Sequence, residues 1–254
     1  MKKKSFAKVN IFLKITGKQN NYHLIASRFV KVDNLFDTIS FKKTYPLKFT
    51  LEGEFGCLLE QNTIYKAYLE LLKIDPNIKN FFNEYKVCVD KKIPYFAGLG
   101  GGSSNAATFI LMVNQYCNLN LPKQKLAQIG LKVGADVPFF IYEYNSANVS
   151  GIGEIVEIFD EEPLKLEIFT PQNIKCNTGE IFKLFSTQYY KEASKETIQK
   201  LFNMNSKDIL NNYSIEFLND LYNPAKHLYQ NLTMPKGWFF SGSGSSFFNI
   251  YSFK

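Results

Sequence analysis

The chain has 254 residues, 45% hydrophobic and 21% charged, with a formal net charge of +7 at pH 7. This is ordinary globular composition, enough for one large domain or two modest ones without disulfides or structural metal. The basic balance favours an anionic partner, whether nucleic acid, membrane surface or phosphorylated metabolite. Four scattered cysteines without a C-x-x-C pair, and only two histidines, exclude zinc-site spacing and fit a reduced cytoplasm.

Met1-Lys2-Lys3-Lys4 has the charge of a signal-peptide start, but Lys8, Asn10 and Lys14 interrupt the apolar core that must follow. Residues 5–15 alternate through Phe6, Val9, Ile11, Leu13 and Ile15 and read as a strand. Residues 28–41 predict two strands about an Asp33-Asn34 turn. Asn62 opens a helix as its N-cap, with Ile64, Ala67, Tyr68, Leu71 and Leu72 in one apolar stripe. Tyr85–Val89 reads as a strand. Helices follow at about 104–117 and 123–133, the second ended by Gly134 and Pro138. Val137–Tyr144 is rich in β-formers and predicts a strand.

Asn145-Ser146-Ala147-Asn148 is small and polar, which puts a domain junction there and gives domains 1–146 and 147–254. Beyond it, 154–159 and 164–169 read as strands and 178–232 as helical, with Pro224 breaking or kinking the last helix. Trp238-Phe239-Phe240, a glycine-serine loop and Phe247–Tyr251 close the chain. The longest uncharged stretch, Ile93–Pro122, holds four glycines, two serines and five amides, too polar for a membrane span. The protein is therefore expected in the cytoplasm, and the mixture of elements predicts α+β.

The segment from Pro94 reads Pro-Tyr-Phe-Ala-Gly-Leu-Gly-Gly-Gly-Ser-Ser-Asn-Ala-Ala. Three successive glycines let backbone N–H groups converge, and a helix follows at once with its unpaired N–H groups and positive dipole end. That is the chemistry of a di- or triphosphate cradle. It is not a Walker A loop, because no lysine lies in it. Nor is it G-x-G-x-x-G, because the sixth place is Ser103 counting from Gly98 and Asn105 counting from Gly100. A flexible connector is the plain alternative.

P-x-x-x-G-L-G-G-G-S-S-N-A-A is similar to the second motif of the GHMP kinase superfamily. Ala7-Lys8-Val9-Asn10-Ile11-Phe12-Leu13, with Gly17 and Tyr22-His23, resembles its N-terminal motif. Gly134-Ala135-Asp136-Val137-Pro138-Phe139-Phe140 resembles the segment that carries its catalytic aspartate. Ser241-Gly242-Ser243-Gly244-Ser245-Ser246 resembles its third motif. The matches run in order across almost the whole chain. They imply an α+β, two-domain GHMP kinase fold with the active site in the inter-domain cleft.

The implied activity is ATP-dependent phosphorylation of a small-molecule alcohol, with Mg²⁺ arriving with ATP and no metal ligand assigned. The triple glycine and Tyr22-His23 are nearest the branch that acts on a cytidine diphosphate-linked substrate in the non-mevalonate pathway of isoprenoid precursor biosynthesis. By the same resemblance, Lys8 and Asp136 are catalytic. Pro94, Tyr95, Phe96, Ala97, Gly98, Leu99, Gly100, Gly101, Gly102, Ser103 and Ser104, with Asn62, hold ATP. Asn10, Tyr22, His23, Lys91, Thr178 and Phe182 bind substrate, and the third motif closes round the phosphates.

Local sequence offers blander roles. Lys8 could sit on an exposed strand face, Asp136 could cap a turn, Lys91 could be a solvated charge and Phe182 could be helix core. Two positions depart from the branch: Asn20-Asn21 replaces Asp-Gly before Tyr22, and Gly179 replaces a proline between Thr178 and Phe182. Competing functions are a homoserine or mevalonate kinase, a catalytically dead nucleotide sensor, and a nucleic-acid binder suggested by the lysines at 2–4, 42–43 and 91–92. No nucleic-acid reader motif is present. No nucleic-acid or membrane partner is expected, and nothing in the sequence specifies an oligomeric state.

Overall fold

The two longest elements are strands, β1 (Lys2–Gln19) and β2 (Tyr22–Lys43), which pair with each other. The computed structural model describes residues 1–20 and 22–251, so Asn21 of the expected Asn20-Asn21 turn lies outside the described residues. The turn predicted at Asp33-Asn34 does not form, and β2 runs straight through it. Val30 and Val32 are buried on one face there, and the Asn34 amide donates to Leu166 O at 3.1 Å, so its side chain serves a tertiary contact instead of a turn.

The chain falls into two units, each gathered from separate stretches. One comprises Met1–Ala7, Leu35–Tyr95 and Gly100–Glu143; the other comprises Lys8–Asn34, Phe96–Leu99 and the described residues from Tyr144 onward. In the first unit, β3 (Leu51–Glu52) lies parallel to β4 (Tyr85–Asp90), and β4 is antiparallel to the second half of β2, with Thr38 opposite Asp90. Five helices accompany them: α1 (Thr63–Leu72), α2 (Ile78–Glu84), α3 (Gly101–Tyr116), α4 (Lys123–Leu131) and α5 (Val137–Tyr142). Phe41, Phe82 and Phe109 lie at the centre of the unit's core, with Phe49 packed against them.

The predicted start of α1 holds: Asn62 Oδ1 accepts from the Ile64 N–H at 2.9 Å, and Ile64, Ala67, Tyr68 and Leu71 are buried. Helix α3 begins three residues earlier than predicted. Gly100 takes a left-handed φ of 67°, after which the glycines themselves enter the first turn. Residues 104–110 of α3 are buried without a break, so this helix is surrounded rather than one-sided.

The predicted strand at 137–144 is instead helix α5. Pro138 stands in its first turn, where no N–H is needed, and its β-forming residues are buried against α4. The contact is close: a Cβ built on Gly130 would come 2.6 Å from Val137 Cγ1. Packing thus overrides local propensity.

In the second unit, the first half of β2 is antiparallel to β5 (Ser146–Gly151), which is antiparallel to β6 (Ile155–Ile158). Polar Ser146-Ala147-Asn148, where the sequence suggests a domain junction, lies in the ladder of β5. Ser146 donates to Glu161 Oε1 at 2.6 Å, and Asn148 faces Arg28, which is fully buried. The guanidinium donates to Asn148 Oδ1 at 2.6 Å and to Phe202 O at 2.9 Å, and lies 3.4 Å from the Phe159 ring centroid. Burial lowers its pKa to about 10 against the pull of Glu161.

A small sheet has the order β7 (Leu166–Phe169), β9 (Phe247–Ile250), β8 (Phe239–Phe240). The helices are α6 (Thr178–Leu184), continued by a π-turn at 185–189, then α7 (Lys195–Asn203), α8 (Ser206–Asn212), α9 (Ile215–Leu218) and α10 (Tyr222–Leu228). Pro224 neither breaks nor kinks a helix, because it occupies the first turn of α10.

Candidate active site

In the first unit, the N-terminal turn of α3 carries the positive end of a 16-residue helix. Ser104 N–H is bonded to Gly100 O at 2.8 Å, so the amides of Gly101, Gly102 and Ser103 precede the helix ladder and stand at its positive end. Glycine is required at 101 by a neighbour: a Cβ there would come 2.8 Å from Ile93 Cγ2. The Thr63 hydroxyl donates to Gly102 O at 2.7 Å, which ties α1 beside the turn. Of the two serines expected here, Ser104 is buried and hydrogen-bonded to Ser5 at 2.8 Å, whereas Ser103 stays half-buried. Pro94 is half-buried, and Tyr95 donates to Glu54 O at 2.6 Å.

A buried carboxylate that local sequence did not single out braces this turn. Asp37 is 0% exposed and accepts from the backbone N–H groups of Lys92 and Ile93 (2.7 and 2.8 Å), from Lys91 Nζ (2.5 Å) and from Asn105 Nδ2 (2.8 Å). Asn105 also donates to Ser5 Oγ at 2.9 Å. Lys91 is thus neither solvated nor loose. Its ammonium is shared between Asp37 and Asn105 Oδ1, beneath Gly101. A charge pair this buried is tolerable because both partners have further hydrogen bonds.

Asp136 occupies the position just before α5, with φ −80° and ψ −11°, and its carboxylate does not cap that helix. The Gly134-Ala135-Asp136 turn is bounded by the Val137 N–H to Gly134 O bond at 3.1 Å. It passes close to α3, since a Cβ on Gly134 would lie 3.6 Å from Ser103 Oγ.

In the second unit, Lys8 is 3% exposed, so the exposed-face alternative is excluded. Its ammonium donates to Asn10 Oδ1 at 2.6 Å and to Gly98 O at 3.4 Å, and lies 4.5 Å from the Phe29 ring centroid. Asn10 donates in turn to Ser27 Oγ at 2.9 Å. Ala97 and Leu99 are buried, while Phe96 is 55% exposed at φ 52°. Gly98 packs against the third motif so closely that a Cβ would meet Ser241 O at 2.1 Å, at a φ of 73°.

That third motif is buried, and each serine hydroxyl in it is engaged. Ser241 donates to Gly98 O at 3.0 Å and Ser245 to Ile174 O at 2.7 Å. Ser243 pairs with Thr178 and Ser246 with Thr170, both at 2.7 Å. The Asn219 amide, 3% exposed, donates to Phe240 O at 3.0 Å and to Gly242 O at 2.9 Å, gripping the loop from beneath. Next to it, Asp220 accepts from Lys14 and from the Ile15 N–H, and burial raises its pKa despite the lysine.

Tyr22, 62% exposed, precedes His23, whose ring packs on Phe182 at 5.0 Å between centroids and meets Phe185 edge-on. Two of the expected base-recognition residues are therefore brought together, and Phe182 packs against the core of this unit as well as against His23. His23 Nε2 and the Ser186 hydroxyl are hydrogen-bonded at 2.7 Å. Burial, and then Lys18, hold the His23 pKa below 6.5. Thr178 is set at the third motif by its bond to Ser243. Gly179 is stabilised in place of the missing proline by the Asn177 side chain, which accepts from the N–H groups of Gly179 and Glu180. Among the described residues there is no group of three or more His, Cys, Asp or Glu suited to a metal, and no helix long and apolar enough to cross a membrane.

The family described as GHMP kinases N terminal domain matches residues 62–144. The chain is 50% identical to the 4-diphosphocytidyl-2-C-methyl-D-erythritol kinase of Sulfurimonas denitrificans, over 97% of this chain and 96% of that one. It is 40% identical to the Helicobacter pylori enzyme of the same name, over 96% and 94%. Among solved structures, a 4-(cytidine 5'-diphospho)-2C-methyl-D-erythritol kinase superposes with a TM-score of 0.75 at 23% identity, covering 98% of this chain and 90% of that one. Methanococcus jannaschii mevalonate kinase superposes with a TM-score of 0.62 at 18% identity, covering 99% and 90%. The structural matches give the GHMP kinase fold; the sequence identities, sustained over nearly the full length, go further, and the chain belongs to the 4-diphosphocytidyl-2-C-methyl-D-erythritol kinase family.

Proposed function

We propose that this protein transfers the γ-phosphoryl group of ATP to the 2-hydroxyl of 4-diphosphocytidyl-2-C-methyl-D-erythritol, in the non-mevalonate pathway of isoprenoid precursor biosynthesis. The observation that carries the reading is the N-terminal turn of α3, whose three leading amides are held at the positive end of a buried helix in a chain of this family. In the reaction, the substrate oxygen bonds to the γ-phosphorus, the bond to the β-phosphate oxygen breaks, and ADP leaves. Asp136 orients the hydroxyl and takes its proton, while Lys8 stabilises charge on the transferring group. The stretch 94–104 and Asn62 hold ATP. Lys91, fixed by Asp37, adds a cation beside the α3 turn. Asn10, Tyr22, His23, Thr178 and Phe182 receive the cytidine-linked substrate.

Mg²⁺ would come with the nucleotide, held chiefly by phosphate oxygens and water, and it would neutralise charge on the β- and γ-phosphates. The +7 charge is assigned to these anionic substrates rather than to nucleic acid, and the cytoplasm is the compartment that supplies them. A coupled assay of ADP release tests the reading, with turnover expected on the cytidylated substrate. Turnover only with homoserine or mevalonate would overturn it.

A further inference from the structure

The surroundings of His23 fix more than its place, and their bearing on specificity rests on the proposed cytidine-linked substrate. The Ser186 hydroxyl has one proton and two hydrogen-bond partners, Phe182 O at 2.9 Å and His23 Nε2 at 2.7 Å. A carbonyl oxygen only accepts, so the hydroxyl proton goes to Phe182 O. Ser186 stands four residues after Phe182, the spacing at which a serine bonds back to a helical carbonyl. Both contacts are hydrogen bonds together only if the hydroxyl accepts from an Nε2–H. Burial and then Lys18 lower the imidazole pKa from the ordinary 6.5, which favours the neutral form at neutral pH and above. A neutral imidazole protonated at Nε2 keeps a lone pair at Nδ1. Among the described residues, no protein donor is bonded to Nδ1. Phe182 and Phe185 hold the ring from two sides.

We propose that Ser186 is a specificity-determining positioning residue. By accepting from His23 Nε2–H it fixes the tautomer in which Nδ1 is an acceptor, and so selects a base edge that presents an amino donor. Cytosine carries its 4-amino group where a uracil-type base carries a carbonyl oxygen. An oxygen placed against the Nδ1 lone pair sets acceptor against acceptor and leaves both unsatisfied. Ser186 touches no reacting atom in this scheme and acts through His23.

Two measurements decide the matter. The chain contains only His23 and His227, so 15N-histidine labelling gives two rings, assigned with His227→Gln. Long-range 15N–1H spectra of the ligand-free protein at pH 7.5 are expected to show His23 protonated at Nε2; a proton on Nδ1 overturns the proposal. In the second measurement, Ser186→Ala lowers the preference for a cytidine-linked over a uridine-linked substrate about tenfold. The loss falls on KM for that substrate and leaves KM for ATP unchanged. Ser186→Thr, which retains the hydroxyl, restores the preference. An unchanged preference in a folded Ser186→Ala variant overturns the proposal, and if that variant does not fold the spectrum decides alone. If the wild type shows no turnover on the cytidylated substrate, the functional reading fails. Calorimetry of CDP against UDP, each with wild type and Ser186→Ala, then replaces turnover as the second measurement.

Discussion

The loops at 98–104 and 241–246 are both rich in glycine and serine and are organised in opposite ways. The first runs directly into the 16-residue helix α3, so its backbone donors gain the field of the aligned peptides behind them. The second lies between the two-residue strand β8 and the four-residue strand β9, and its serine hydroxyls bond to neighbouring chain. The glycines give both loops close backbone approach. The element that follows gives only one of them the positive end of a long helix, while the other serves as the surface against which Gly98 is pressed.

That contrast can be broken by experiment. The largest effect is expected at Asp136, in the same unit as α3: Asp136→Asn lowers kcat by about a thousandfold or more, or ~4 kcal/mol of transition-state stabilisation, and leaves ATP affinity nearly intact. Unchanged kcat would remove Asp136 from the chemistry. Gly98→Ala forces a Cβ into Ser241 O at a left-handed φ. It should cost about 3 kcal/mol and lower Tm by roughly 6–12 °C in thermal denaturation.

Asn219→Ala leaves the buried carbonyls of Phe240 and Gly242 without their donor. About 2 kcal/mol of stability should be lost, with kcat falling as the third motif loosens. The smallest effects separate the loops most cleanly. Ser245→Ala should lower Tm by a few degrees, about 1 kcal/mol, at constant KM for ATP. Ser103→Ala should raise KM for ATP about threefold at constant Tm. The reverse pattern would mean that the roles of the two loops have been exchanged.

Much of the molecule was legible in the sequence where a local signal coincides with a local cause. Asn62 caps α1 because a side chain two residues away suffices. The start of α3 at the glycine run could be read because a helix following such a run is a local property of the chain, and the proposed phosphate cradle rests on the polarity of that helix. The failures share a different cause. Val137–Tyr142 has strand propensity, and only contact with α4 makes it helical. Asp33-Asn34 has turn propensity, yet the Asn34 side chain is committed to Leu166.

The supporting residues Asp37, Ser186 and Asn219 lie outside all four family motifs. Their partners are distant in sequence: Asn105 is 68 residues from Asp37, and His23 is 163 residues from Ser186. An aspartate followed by Thr38-Ile39 looks like any strand position until Lys91, Lys92, Ile93 and Asn105 converge on it.

The unbroken burial of 104–110 in α3 has a thermodynamic consequence for the turn that precedes it. A helix end of an isolated peptide frays, and a ligand that needs it must first suppress that motion. Here the turns behind Gly101–Ser103 are locked by packing on every side, and the Asp37 cluster fixes the flank. The amides are ordered before any phosphate arrives, so little conformational entropy remains to be lost on binding. Nucleotide association should accordingly slow amide hydrogen exchange only at Gly101–Ser103 and leave it almost unaltered at 104–116, where the helix ladder is already formed and buried.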